Sequence, residues 1–148
     1  MKIFLVAIAI AFTFSLPVAH AASTDETPAP PKELTDARTA LNAKDYAGAE
    51  VLLAKAVKVS PDNADAWNLL GFATRKQGKK DAAEAHYTKA LSLNSSHKGA
   101  LEYMGMLFIE TGRIEQAREN LKKLDVACLF GCNEFDRLKK AIETGQTY

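Results

Sequence analysis

Trp67-Asn68-Leu69-Leu70-Gly71-Phe72-Ala73-Thr74, followed beyond Gly78 by Ala82-Ala83-Glu84-Ala85-His86-Tyr87-Thr88-Lys89-Ala90, is the stretch that decides the fold. In both halves the apolar residues recur at intervals of three and four, the period of a helix with one buried stripe. Gly78 stands between them, where a helix must stop and reverse. The arrangement returns at a fixed distance. Ala49, Ala83 and Ala117 are spaced 34 residues apart, and Ala37, Gly71 and Gly105 keep the same spacing upstream. Leu53, Tyr87 and Leu121 keep it downstream, as do Ala56, Ala90 and Leu124. Turn residues follow suit at Lys44-Asp45-Tyr46, Gly78-Lys79-Lys80 and Gly112-Arg113-Ile114, and Ser60-Pro61-Asp62-Asn63 and Asn94-Ser95-Ser96 close the first two units.

Small residues at a helix crossing let two backbones approach, while Trp67, Leu70 and Tyr87 fill the space beside them. One helix pair cannot bury its apolar face alone, so such units stack. The residues resemble the tetratricopeptide repeat family. Trp67, Leu70, Gly71, Ala83, Tyr87 and Ala90 fall on that family's W-x2-L-G and A-x3-F/Y-x2-A positions. The first unit matches at Ala37, Ala49, Ala56 and Pro61, with Glu33 where an aromatic is expected; the third matches at Leu101, Met104, Gly105, Ala117 and Leu121. The expected fold is therefore all-α, a solenoid of three helix-turn-helix repeats at 32–63, 64–97 and 98–127. The rest, 128–148, reads as a cysteine-bearing turn and a capping helix. There Asn133 is the N-cap candidate, Phe135, Leu138 and Ile142 share a face, and Gly145 ends the helix.

The N-terminus speaks to location. Lys2 precedes the apolar run Ile3 to Phe14, and the small-residue stretch ends in Ala19-His20-Ala21, the parts of a secretory signal. Residues 1–21 are thus expected to be cleaved, leaving Ala22 first. Extended to Ala22 the run would just reach across a bilayer, so an uncleaved anchor is the other reading. The proline-bearing stretch 22–31 reads as a flexible leader. Cleavage removes Lys2 and no acid, so the 19 basic residues fall to match the 18 acidic ones. That balance, with no basic block, argues against nucleic acid and against an electrostatic hold on anionic lipid. The expected setting is the bacterial periplasm or the outside of the cell, with no membrane insertion after cleavage.

In proteins of this kind the first helix of each unit lines a concave groove. By that resemblance the groove-facing positions are Leu34, Arg38, Leu41 and Asn42, then Asp65, Asn68, Phe72, Arg75 and Lys76, then Glu102, Met106, Ile109 and Glu110. Leu41, Phe72, Met106 and Ile109 would form an apolar patch, with Asn68, Arg75 and Lys76 beside it, suited to an extended segment or an amphipathic helix. The competing reading buries Phe72 and Met106 beneath the leader, a neighbouring helix or a second copy. Family members that grip a terminal carboxylate use Lys and Asn on the first unit, Asn on the second, and Lys and Arg on the third. The corresponding residues here are Leu34, Arg38, Leu69, Gly99 and Tyr103, so that clamp is not expected.

Cys128 and Cys132 enclose Leu129-Phe130-Gly131. In an exported protein the pair reads as a disulfide fixing the entry to the capping helix. Two sharper readings stay open. One is a redox pair, although oxidoreductases favour C-x-x-C before a helix of an α/β fold. The other is a copper or zinc site, for which a third ligand is wanting because His86 and His97 belong to the second unit. No phosphate loop, nucleophile elbow or zinc-protease motif occurs. His86, His97 and pairs such as Asp81 and Glu84 read as solvated. The sequence thus points to a non-enzymatic scaffold or adaptor of the cell envelope that holds another protein and needs no cofactor. The alternative is a small redox or metal-handling protein, and a homo-oligomer is the further partner arrangement left open.

Overall fold

The computed structural model describes residues 32–148, so the signal and leader expected at 1–21 and 22–31 lie outside the described residues. Seven helices follow one another: α1 (Lys32–Asn42), α2 (Tyr46–Val59), α3 (Ala64–Lys76), α4 (Lys80–Leu93), α5 (Lys98–Glu110), α6 (Ile114–Ala127) and α7 (Asn133–Thr144). There is no strand among the described residues. The first six form three hairpins, each pairing its own two helices and then stacking on the next, and α7 packs against α5 and α6.

Local chemistry sets these boundaries. Asp45 accepts a hydrogen bond from the Gly48 N–H at 2.9 Å, Asn63 from Ala66 at 3.0 Å, and the Nδ1 of His97 from Ala100 at 3.1 Å. Each satisfies a donor that the first helical turn leaves free. His97, read from sequence as a solvated turn residue, is in fact the N-cap of α5, and its Nε2 reaches Asp65 at 2.8 Å. The turns within units need a left-handed residue, at Gly78 (φ 77°) and Gly112 (φ 74°). The first unit places Lys44 there, at φ 59°. Gly145 (φ 70°) ends α7 as expected, while that helix is capped at Cys132 and begins at Asn133, one residue from the sequence expectation.

The core is the register of the repeat. Ala37, Ala49, Leu53 and Ala56 are buried in the first unit, Leu70, Ala73, Ala83, Tyr87 and Ala90 in the second, and Leu101, Leu107, Ala117 and Leu124 in the third. At Gly71 a Cβ would stand 2.6 Å from two ring carbons of Tyr87, and at Gly105 it would stand 2.6 Å from both terminal carbons of Leu138. A side chain at either position would wedge its crossing, and overpacking costs roughly 1–3 kcal/mol.

Units are also pinned by charge at the same spacing. Glu50 meets Lys79 at 2.5 Å, and Glu84 takes both arms of Arg113 at 2.8 and 2.6 Å. The cation's hydrogen bond holds each carboxyl below its ordinary range, against the opposing effect of partial burial. About a third of each side chain in the Glu84–Arg113 pair is exposed, so water screens it and its worth stays below about 1 kcal/mol.

Lys44→Gly should stabilise the protein by about 0.5–1 kcal/mol, since a left-handed backbone costs an L-residue what glycine escapes. Urea unfolding at constant slope should show the midpoint rising. An unchanged or lower midpoint would mean that the first-unit turn carries no such strain.

Candidate functional site

Residues of α1, α3 and α5 meet at an open cleft of about 350 Å³ lined by Arg38, Leu41, Asn42, Leu69, Phe72 and Tyr103. The cleft has an aromatic spine. Tyr46 meets Phe72 edge-on at 6.1 Å, Phe72 lies 4.9 Å from Tyr103, and Tyr103 meets Tyr148 edge-on at 6.5 Å. Two cations sit on this spine, Arg75 over Phe72 and Lys76 over Tyr46, each 5.8 Å from the ring centre. Aromatic faces with cations above them offer both apolar area and a charge-complementary edge.

The expected groove residues divide. Phe72 is half-buried and lines the cleft, Lys76 is exposed beside it, and Leu41 lines it while packing on the first core cluster. Three assignments are corrected. Met106 has no exposed surface and lies in a core cluster with Leu138 and Ala141. Its register position is the same as that of Phe72, but α7 covers it. Arg75 is buried rather than a rim charge: its side chain is 1% exposed, and it is bound to Glu110 at 2.6 Å and to the main-chain oxygen of Tyr148 at 2.6 Å. Asn68 is also buried, close to Gly99 at the start of α5. Leu34 and Glu102 share its register position and are buried too, so this position faces the next element in every unit. Ile109 is half-buried against the cluster that α7 completes.

What sequence reading missed is equally specific. Leu69 and Tyr103, which the sequence places only at clamp positions, both line the cleft. They precede Phe72 and Met106 by one helical turn, so the signal was present in the spacing. The pair Arg137–Glu102 was also missed. Glu102 is fully buried and takes Arg137 Nε and Nη2 at 2.6 and 2.8 Å, which ties α7 to α5. The Tyr87 hydroxyl has no hydrogen-bond partner among the described residues. Burial pushes its pKa up, opposed by the nearby Arg75 charge.

A second, larger cleft of about 690 Å³ opens between the C-terminal ends of α4 and α6, with Leu91, Leu101 and Val126 below Lys122 and Lys123. It is lined mainly by second helices, with Leu101 of α5 and the Ser95-Ser96 turn, and shares no residue with the aromatic spine. Cys128 and Cys132 are joined as a disulfide, with Cα atoms 5.6 Å apart, in the turn between α6 and α7. Neither presents a free thiolate, and no three His, Cys, Asp or Glu side chains converge as a metal site among the described residues. The bridged turn holds Leu129 and Phe130 out in solvent.

The sequence model of the tetratricopeptide repeat matches residues 64–97. Over those residues the second unit is similar to a tetratricopeptide repeat along its whole length. Heat shock protein STI1 of Saccharomyces cerevisiae is 35% identical over 91 residues, which are 61% of this chain and 15% of that protein. The chain thus spans a small part of that relative's length. Among solved structures, the Arabidopsis OM64 TPR domain superposes with a TM-score of 0.69 at 17% identity, covering 77% of this chain and 93% of that one. The first TPR of Spaghetti (RPAP3) bound to the HSP90 peptide SRMEEVD gives 0.65 at 17% identity, covering 76% and 91%. The P58(IPK) TPR domain gives 0.68 at 23% identity, covering 77% and 32%. At these identities the likeness concerns the fold, which is that of a tetratricopeptide-type α-solenoid.

Replacing Met106 and Phe72 separately by Ala should divide core from cleft. Met106→Ala should cost ~2–5 kcal/mol of stability by opening a cavity. Phe72→Ala should cost about 1 kcal/mol, the worth of an aromatic pair with an open side. Equal losses in chemical denaturation would place Phe72 in the core.

Proposed function

We propose that this chain is a non-enzymatic interaction module that holds a segment of another protein along the cleft of α1, α3 and α5, and that it does so in the cell envelope after export. The observation that carries the binding reading is the aromatic spine from Tyr46 through Phe72 to Tyr103, open to solvent on a rigid solenoid and edged by Arg38 and Lys76. Repeats of this kind build concave surfaces by stacking, and half-buried aromatics at the centre of such a surface are where binding energy concentrates. The HSP90 peptide in the solved RPAP3 complex lies on a related fold, but the clamp positions here hold Leu34, Arg38, Leu69, Gly99 and Tyr103. The partner is therefore read by an apolar and aromatic floor with cationic edges, and an acidic-flanked extended segment or the apolar face of a helix fits it. The structure offers no ready nucleophile–base pair in the cleft, whose lining is aliphatic, aromatic, amide and guanidinium. Support for export rests on the N-terminal pattern and agrees with a bridged Cys128–Cys132 pair.

Two measurements test these statements. Affinity capture from an envelope extract should retain a defined set of proteins on the wild type and on Lys122→Glu, and lose it on Phe72→Ala at least tenfold. Loss on Lys122→Glu with retention on Phe72→Ala would move the partner to the cleft between α4 and α6. Separately, mass spectrometry of the mature protein should find Ala22 first. A soluble product that keeps Met1 would overturn export.

A further inference from the structure

We infer that the third-unit end of the cleft is a binding site for an extended segment presenting a tyrosine after a small hydroxylated residue, and that the chain's own Thr147-Tyr148 fills it as an internal competitor. The inference rests on the cleft being the working face, and it names what that face reads.

Two residues of the last segment make every contact that such a site would make to a ligand. The Tyr148 hydroxyl donates to Glu102 Oε1 and accepts from Arg137 Nε at 3.1 Å. Its ring meets Tyr103 edge-on and so extends the spine by one step. Its main-chain oxygen accepts from Arg75 Nη2 at 2.6 Å. Thr147 Oγ1 donates to Glu110 Oε1 at 2.9 Å. The receiving groups come from α3, α5 and α7, and the two central ones are buried, Glu102 fully and the Arg75 side chain to all but 1%.

The site stands without its occupant. Glu102 keeps both arms of Arg137, and Arg75 keeps Glu110 through Nη1. What the segment supplies are a partner for the donor at Arg75 Nη2 and one for the acceptor capacity of Glu102, so any ligand that covers these groups in its place must bring the same partners or leave them desolvated and unpaired. The occupant, by contrast, is loosely held. Gly145 and Gln146 are exposed, Tyr148 remains 46% exposed, and neither Thr147 nor Tyr148 belongs to a core cluster. A strap held by a few polar contacts over a preformed buried charge site exchanges with a competitor, whereas a core element does not. The phenol is a matched donor. Burial and the Glu102 carboxylate push its pKa up, so it stays protonated across physiological pH. A phenylalanine in its place would fill the ring position and leave Glu102 without that donor.

A fluorescent peptide with the sequence of residues 143–148 tests this by anisotropy against the full chain. A chain carrying Thr147→Ala and Tyr148→Ala, with its own strap weakened, should bind the peptide at least tenfold tighter than the wild type does. A peptide ending in Phe should bind that variant about tenfold more weakly, the cost of a missing hydrogen bond to a charged group. Adding Arg137→Lys, which keeps the charge but loses the two-armed geometry, should weaken the native peptide in the same background. Equal binding by wild type and strap variant, or none by either, would overturn the inference. So would a strap variant that melts markedly lower and binds nothing, since the segment would then be a structural tie. The outcomes separate from those of the broader reading. Peptide binding with no effect of Phe72→Ala on captured proteins would leave this site standing and move the main partner elsewhere. Loss of capture with no peptide binding would remove only this site.

Discussion

The backbone of α3 at Gly71 lies so close to the ring of Tyr87 that a single added carbon would stand 2.6 Å from it. That approach fixes how the two helices of the second unit cross, because the aromatic ring can lie flat only where the opposite backbone carries no side chain. Ala37 and Gly105 hold the same register position in the other units, and at Gly105 the close neighbour is Leu138 of α7 rather than the second helix of its own hairpin. The three hairpins pair and stack in the same order, so their first helices line one surface. The aromatic spine follows. Phe72 and Tyr103 are 4.9 Å apart although they belong to neighbouring units, and no local turn could bring them together.

The helix α7 completes this logic and then interrupts it. It keeps the register of the repeat: Leu138 is two repeats beyond Leu70, and Cys128 stands where Ser60 and Asn94 end the earlier units. It takes the place of a first helix in the register. It lies on α5 as α5 lies on α3, covering Met106 and drawing Glu102 into a two-armed pair with Arg137. Its outward face carries Asp136, Lys139 and Lys140, which suits the last layer of a stack. The open cleft is therefore shorter than three first helices imply, and its third-unit end is polar and covered by Thr147 and Tyr148.

This is where the sequence was legible and where it stopped. The 34-residue period is written in small residues and aromatics whose identities answer to sterics, so the hairpins, their order and the capping helix could be read from it. Phe72, Lys76 and Leu41 could be placed because their neighbours come from the same or the adjoining unit. Met106 could not. Its own position matches that of Phe72, so periodicity alone left a groove face and burial under a neighbouring helix both open, and the packing of α7 decides for burial. Arg75 failed for a similar reason. A cation at a groove position reads as a rim charge until a carboxylate 35 residues away and a main-chain oxygen 73 residues away enclose it. The ion pairs Glu50–Lys79 and Glu84–Arg113 are legible in principle, since both partners repeat at the same spacing, but Glu84 reads as a solvated helix-face charge and Lys79 and Arg113 as turn residues.

The two kinds of charge in the molecule do different work, and the difference follows from water. The Glu50–Lys79 and Glu84–Arg113 pairs are partly exposed and contribute little energy, but they recur at the same step and so favour one alignment of neighbouring hairpins over a slipped one. In the Arg75–Glu110 and Arg137–Glu102 pairs one partner, Arg75 or Glu102, is buried while the other reaches solvent, and at the buried partner an unmatched charge is costly and a matched one is specific. An apolar spine alone would accept any greasy segment at comparable affinity. Buried charges at one end of it require that a ligand bring the right donor and acceptor in the right order, and a ligand lacking them leaves those groups both dry and unpaired. On the proposed reading, selectivity in this cleft would belong to its third-unit end, while Phe72 and its neighbours would supply affinity.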